Sequence, residues 1–159
     1  MIVADPRFRP WLEAKIGVAL ADDAVFIGEI RDGLILSAIA FSHWTGHDMD
    51  VSVAGSQGSR GILQAFYQYV FDQHRCCRAT ARIRASNLAS QRLAERLGFQ
   101  REGVLRQGYG DEDALIYGLL QQDFPYGKRW RQTPLSSRPQ RHHSAPVAVQ
   151  PLREQRTLR

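Results

Sequence analysis

The sequence predicts a mixed α/β domain, with a mostly antiparallel central sheet and helices on both faces. Three observations carry this reading. Asp32-Gly33 joins two apolar runs as a tight hairpin turn, because Gly accepts the positive φ that the turn requires. A strand–helix–strand stretch over 49–84 demands a parallel crossover. A last hairpin folds around Gly108-Tyr109-Gly110-Asp111 and pairs 99–106 with 114–120. Hairpins give antiparallel pairs, the crossover gives a parallel one, and the helices cover the sheet.

The elements follow in order. Pro10 opens a short helix through Trp11, Leu12 and Ile16 that ends near Gly17. Residues 24–31 form a strand and 34–41 its return. In 48–53, Met49, Val51 and Val53 alternate with Asp48, Asp50 and Ser52, which is the period of a strand. A Gly-rich turn over 55–61 leads into a helix with Ile62, Phe66, Tyr69, Val70 and Gln73 on one face. Ala79, Ala81 and Ile83 then alternate with Thr80, Arg82 and Arg84 as another strand. Asn87 caps a further helix whose stripe is Ala89, Leu93 and Leu97, and Gly98 closes it.

The chain has 159 residues, enough for one domain with a real core. Its net charge of +5 is unevenly placed: 127–159 carries +7 and 1–126 carries −2. A near-neutral domain argues against a folded nucleic-acid face. The basic segment is rich in Pro, Ser, Gln and Arg and has no apolar period. It cannot bury enough surface to offset its ordering entropy. The expected organisation is therefore a domain over 1–126 and a basic, disordered tail over 127–159. That tail would meet acidic surfaces by screened, non-specific attraction, and His142-His143 within it reads as solvated.

No apolar run approaches the roughly 20 residues that a membrane span needs. The first nine residues lack the apolar core of a signal peptide. The two cysteines, Cys76 and Cys77, are adjacent, which gives neither a disulfide framework nor metal-ligand spacing. The expectation is a protein of a reducing, cytoplasmic compartment with no metal, as monomer or homodimer.

A Gly-rich turn running into a helix N-terminus offers unpaired N–H groups and a favourable dipole to a phosphate. Gly58, Ser59, Arg60 and Gly61 occupy such a junction, and Arg60 adds a positive charge.

The block Asn87-Leu-Ala-Ser90-Gln-Arg-Leu93-Ala-Glu-Arg-Leu97-Gly98-Phe99-Gln-Arg-Glu102-Gly103-Val-Leu-Arg106 resembles the GNAT superfamily. It looks most like the ribosomal-protein N-acetyltransferase branch, where N-x-x-S, L-G-F and E-G-x-x-R recur at this spacing. The Trp44-Thr45-Gly46 turn and the short front end resemble small acetyltransferase-like proteins of bacteriophages and prophages. The resemblance covers roughly 11–130. It implies an acyl-CoA N-acyltransferase fold, acetyl-CoA as cosubstrate, and direct acetyl transfer to an amine of a small molecule or a protein.

The resemblance also implies roles. Val51, Ser52 and Val53 would offer backbone groups to the pantetheine arm. Gly58, Ser59, Arg60 and Gly61 would cradle the pyrophosphate, while Asn87, Ser90 and Arg92 would reach the cofactor. Many relatives place a tyrosine as the acid where this chain has Ala94; resemblance to the N-x-x-S branch, where a serine takes that part, implies Ser90 as the proton donor. Asp50 lies closest to the cofactor stretch and is the first candidate base, ahead of Asp48, His47, His43 and Glu29. Tyr109 and Tyr117 are further candidates, and Glu102-Gly103 reads as a turn or bulge. The loop before Ile62 departs from the usual Arg or Gln followed by G-x-G or G-x-A. That departure and Ala94 keep a second reading open, a catalytically inactive GNAT-like structural or interaction protein. The short front end leaves an acceptor pocket that is open, shallow or completed by another chain, and the acceptor is unassigned.

Overall fold

A computed structural model describes residues 1–55 and 59–127. One seven-stranded sheet organises them. In chain order the elements are β1 (Ile2–Ala4), α1 (Phe8–Ile16), β2 (Val25–Arg31), β3 (Leu34–Ser42), β4 (Asp50–Gly55), α2 (Arg60–Tyr67), β5 (Arg78–Arg84), α3 (Leu88–Arg96), β6 (Gln100–Leu105) and β7 (Ala114–Leu120). The spatial order is β1-β2-β3-β4-β5-β7-β6. The β4–β5 pair is parallel and the others are antiparallel. This is the mixed sheet that the sequence predicts. The basic segment expected to be disordered lies, from residue 128 onward, outside the described residues.

The β2–β3 turn places Asp32 at φ 51° and Gly33 at φ 76°. Two successive positive φ values make the type I′ turn that matches strand twist. The first helix starts at Phe8, two residues before Pro10. Proline is still admitted there, since the first turn of a helix has no intrahelical partner for its N–H. β1 was not expected. It is three residues long and is held by its register with β2, where Ile2 faces Glu29.

The helix after the Gly-rich turn also departs from expectation. It runs as α-helix to Tyr67 and continues as π-helix over Gln68–Gln73. The wider π turn shifts the buried face by about one residue. Val70 and Phe71 are therefore buried, whereas Gln73 is exposed and Tyr69 only half-buried.

Two cores lie on opposite faces of the sheet. α2, its π extension and α3 cover one face, with Ile39, Phe41, Met49, Val51, Ile62, Phe66, Ala79 and Ile83 between them. α1 covers the other, through Phe8 and Leu12 against Phe26, Ala38 and Ala40. Each large apolar side chain buried here contributes roughly 1.5–3 kcal/mol. α1 packs on β2, β3 and β4. The same face of β5 is left to its own polar side chains: Thr80, Arg82 and Arg84 alternate with the core residues Ala79 and Ile83.

Candidate active site

The site begins where the sheet comes apart. β4 and β5 share one paired position, Asp50 with Thr80, among the described residues. The Thr80 N–H donates to the Met49 carbonyl at 2.9 Å. Both strands then continue, to Gly55 and to Arg84, without further pairing to each other. The result is a cleft between two parallel strands, walled by main chain.

Strand alternation decides which groups line this cleft. Met49 directs its carbonyl at β5, so Val51 and Val53 present their backbone the same way. Ser52 directs its backbone at β3, where it is paired with Ala40. Of the three residues expected to serve a pantetheine arm, Val51 and Val53 therefore offer backbone groups to the cleft. Ser52 offers its side chain on the face that carries α1. The Val53 side chain is 47% exposed, although its period matches buried Met49 and Val51, because the sheet has already opened beside it.

The end of the cleft leads to the N-terminus of α2. Ser59 is the N-cap, and its hydroxyl accepts the Ile62 N–H at 3.3 Å. Arg60 and Gly61 occupy the first helical positions, exposed, where N–H groups lack intrahelical partners. Gly58 lies outside the described residues. On the other strand, Asn87 caps α3, and its side-chain oxygen accepts the Ser90 N–H at 3.0 Å. Ser90 and exposed Arg92 follow on the first turns of α3, and Arg92 rims a shallow depression with Ala89, Glu95 and Arg96.

The face opposite α2 and α3 carries linked charges. Asp50 sits at the last paired position, with its Oδ2 3.3 Å from His43 Nδ1 and 3.4 Å from Arg82 Nη2. Its side chain is 22% exposed. His43 follows β3 at φ 51°, and its N–H donates to Asp23. Asp48 accepts the Thr80 hydroxyl at 2.7 Å and lies 3.4 Å from Arg78, which in turn pairs with Glu102 at 2.7 Å. Glu102 stands at a β-bulge between Arg101 and Gly103, as expected. A Cβ at Gly118 would fill the space that its carboxylate takes. Glu29 lies apart, 7% exposed on β2 and 3.5 Å from Arg31. Tyr117 is buried with its hydroxyl on Glu95, and burial, followed by the Glu95 charge, pushes its pKa up. Among the described residues no His, Cys, Asp or Glu cluster could hold a metal ion, and no helix is long and apolar enough to cross a membrane.

The β6–β7 loop closes the far end. Arg84 pairs with Asp111 at 3.1 Å and with Glu112 at 3.0 Å. Glu112 also accepts the Ser86 N–H at 2.9 Å. That backbone bond, then Arg84, holds the Glu112 carboxyl below its ordinary value of 4.5. A depressed carboxylate stabilises the fold above its unfolded pKa, and the contribution disappears as pH falls through the folded one. Glu112→Gln is expected to flatten the acid side of the stability curve below about pH 5. Urea denaturation across that range measures it.

Residues 58–100 match the sequence pattern of an acetyltransferase (GNAT) domain. Among solved structures, the IAA acetyltransferase from Bacillus cereus superposes with a TM-score of 0.59 at 9% identity, covering 76% of this chain and 98% of that one. This is the GNAT fold. The ribosomal-protein-S18-alanine N-acetyltransferase from Escherichia coli gives 0.55 at 18% identity, over 76% of this chain and 92% of its own. The Campylobacter jejuni N-acetyltransferase PseH, solved with acetyl coenzyme A, gives 0.52 at 15% identity, over 64% of this chain and 70% of its own. No curated protein matches the sequence.

Within the GNAT fold the structure brings Asp50, Val51, Val53 and the start of α2 to one cleft. It gives Asn87 a capping bond. Sequence reasoning had not singled out Arg82 or the chain of contacts from Asp48 to Glu102. The alternation of Thr80, Arg82 and Arg84 on β5 was the available signal, since it places three polar groups on one face of that strand, opposite the core residues Ala79 and Ile83.

Proposed function

We propose that this protein is an acetyl-CoA-dependent N-acetyltransferase that moves an acetyl group directly to a primary amine. The observation that carries the reading is the β4–β5 cleft. It presents the Val51 carbonyl and the backbone groups of Val53 to an extended amide-bearing arm, and it runs to a helix N-terminus suited to a pyrophosphate. Gly58, Ser59, Arg60 and Gly61 would hold the phosphates, with Arg92 adding charge, and Asn87 and Ser90 would meet the cofactor from the start of α3. Backbone N–H groups in the cleft would polarise the thioester carbonyl. Asp50 takes the proton from the attacking amine, directly or through water. A hydroxyl returns a proton to the leaving sulfur, and Ser90 is the one that the resemblance implies.

The GNAT neighbours named above act on varied acceptors, so the acceptor is found by screening. Asp50 borders the polar face of β5, where the Arg82 side chain is exposed, and this leaves an approach for a peptide α-amine or a polyamine.

Calorimetric titration of acetyl-CoA into the full chain tests the cofactor half. Micromolar binding is expected. In an Arg60→Ala, Arg92→Ala variant, the loss of two phosphate-facing charges should weaken it by about tenfold or more at low salt, since each charge-assisted contact is worth about 1.5–3 kcal/mol. No binding by the folded protein would refute the enzyme reading and favour a scaffold that kept the fold alone.

A further inference from the structure

Tyr109 occupies a position that the cofactor reading does not yet use. It stands in the β6–β7 loop, and its hydroxyl donates to the Arg82 carbonyl at 2.8 Å. That carbonyl has a definite direction. Thr80 directs its backbone at β4, and Arg82, two residues on, must do the same. By then β4 has separated, so the Arg82 carbonyl faces the cleft, and the Tyr109 hydroxyl meets it there in place of a β4 partner. A side chain from a distant hairpin thus delivers a phenol into the gap between the two strands.

The phenol is held firmly. The Arg84 guanidinium lies over the ring at 4.4 Å. The Tyr109 N–H donates to the Glu112 carbonyl at 3.0 Å, and Gly110 closes the turn on Gln107 at 2.8 Å. Arg84 also ties Asp111 and Glu112 to the end of β5. Ring, loop and strand therefore form one braced unit, and an oriented donor costs no reorganisation when charge develops beside it. Burial raises the hydroxyl's pKa, with Arg84 and Arg82 opposing in part, so the proton stays on oxygen across the neutral range.

We propose that the Tyr109 hydroxyl is the group that protonates the sulfur leaving from the acyl thioester, a role that rests on the acetyl-transfer reading above. The neutral amine nitrogen bonds to the thioester carbonyl carbon and, as it does so, gives up one proton to Asp50, directly or through water. The tetrahedral intermediate collapses, the carbon–sulfur bond breaks, and its electron pair stays on sulfur. The O–H of Tyr109 turns from the Arg82 carbonyl to the sulfur and yields its proton, giving the free thiol. The phenolate, beside the Arg84 charge, regains a proton from solvent after the products leave. Tyr109 thereby supplies the acid that Ala94, buried in the core on α3, cannot. Ser90 keeps a place at the cofactor.

The test is Tyr109→Phe in the full chain. It keeps the ring and its contact with Arg84 and removes one oxygen. Thiol release from acetyl-CoA is followed with a short peptide bearing a free α-amine and with methylamine. kcat should fall by about 10²–10⁴-fold, while the acetyl-CoA Kd and the melting temperature stay close to wild type. With the selenoester analogue of acetyl-CoA, whose leaving group needs little protonation, the defect should shrink by about tenfold or more. Tyr109→His, which restores a donor, should recover part of the rate. A folded Phe variant within about threefold of wild type overturns the proposal, and so does an equal defect with thioester and selenoester. Wild type that binds acetyl-CoA yet transfers to neither amine removes the transfer reading itself, and Tyr109's role with it.

Discussion

Asp50→Asn should lower kcat by about 10²–10⁴-fold while leaving acetyl-CoA affinity within about threefold of wild type. The substitution keeps the shape of the side chain and removes its ability to take a proton. Position is the reason to single out this carboxylate among five candidates. Asp50 is the β4 residue at which pairing with β5 ends. A thioester lying in the cleft therefore begins beside it, and an amine approaching over the open face meets it first. Asp48, two residues earlier, is already occupied by Thr80 and Arg78. Glu29 is buried on the sheet face under α2.

His43 is the competitor, since its Nδ1 lies 3.3 Å from Asp50 and its ring is largely exposed. His43→Ala separates the two. If Asp50 is the base, the His43 variant loses little and the pH profile keeps its shape. If His43 is the base and Asp50 orients it, both variants lose similar amounts. Arg82 shares the same carboxylate oxygen at 3.4 Å. Its neutralisation should shift the acceptor KM more than kcat, because a guanidinium at the mouth of the cleft acts on approach. A rate for Asp50→Asn within about threefold of wild type would place the base elsewhere.

How much of this site the sequence discloses depends on whether its parts are local. The I′ turn, the capping Asn87 and the alternation of β4 are written in neighbouring residues, and each is present in the structure. The cleft is not local. Nothing in 50–55 or 78–84 says that two good strands stop pairing after one position, because period describes a strand and not its partner. β1 escaped for the same reason, as three residues gain strand character through β2. The π segment escaped because its buried face follows a five-residue hydrogen bond, seen in the His74 N–H to the Tyr69 carbonyl at 3.1 Å. Tyr109 could be named as a candidate but not placed, since its position depends on a hairpin folding back over a strand 27 residues away.

The L-G-F element of the recognised block has a physical account that separates structure from catalysis, and Gly98→Ala tests it. α3 ends in a Schellman motif. The Phe99 N–H donates to the Ala94 carbonyl and the Gly98 N–H to the Glu95 carbonyl, both at 3.0 Å. Gly98 holds φ 91°, a left-handed value that a side chain resists. A Cβ there would also run into the Asp123 carbonyl, which belongs to rigid backbone. Ala94 and Phe99 are both buried, supplying the apolar contact that accompanies this cap.

The left-handed cost of about 1–2 kcal/mol and the overpacking cost of about 1–3 kcal/mol together predict a loss of about 2–5 kcal/mol in urea denaturation. Gly103→Ala is the matched control in the same block. It has no neighbour within 4 Å of its added carbon and no left-handed φ, so a change within about 0.5 kcal/mol is expected. The acetyl-CoA Kd of the folded Gly98 variant should equal that of wild type, because the cap lies at the opposite end of α3 from Asn87 and Ser90. If Gly98→Ala instead weakened binding without lowering stability, the motif would belong to the site, and the division drawn here between a structural L-G-F and a catalytic cleft would fail.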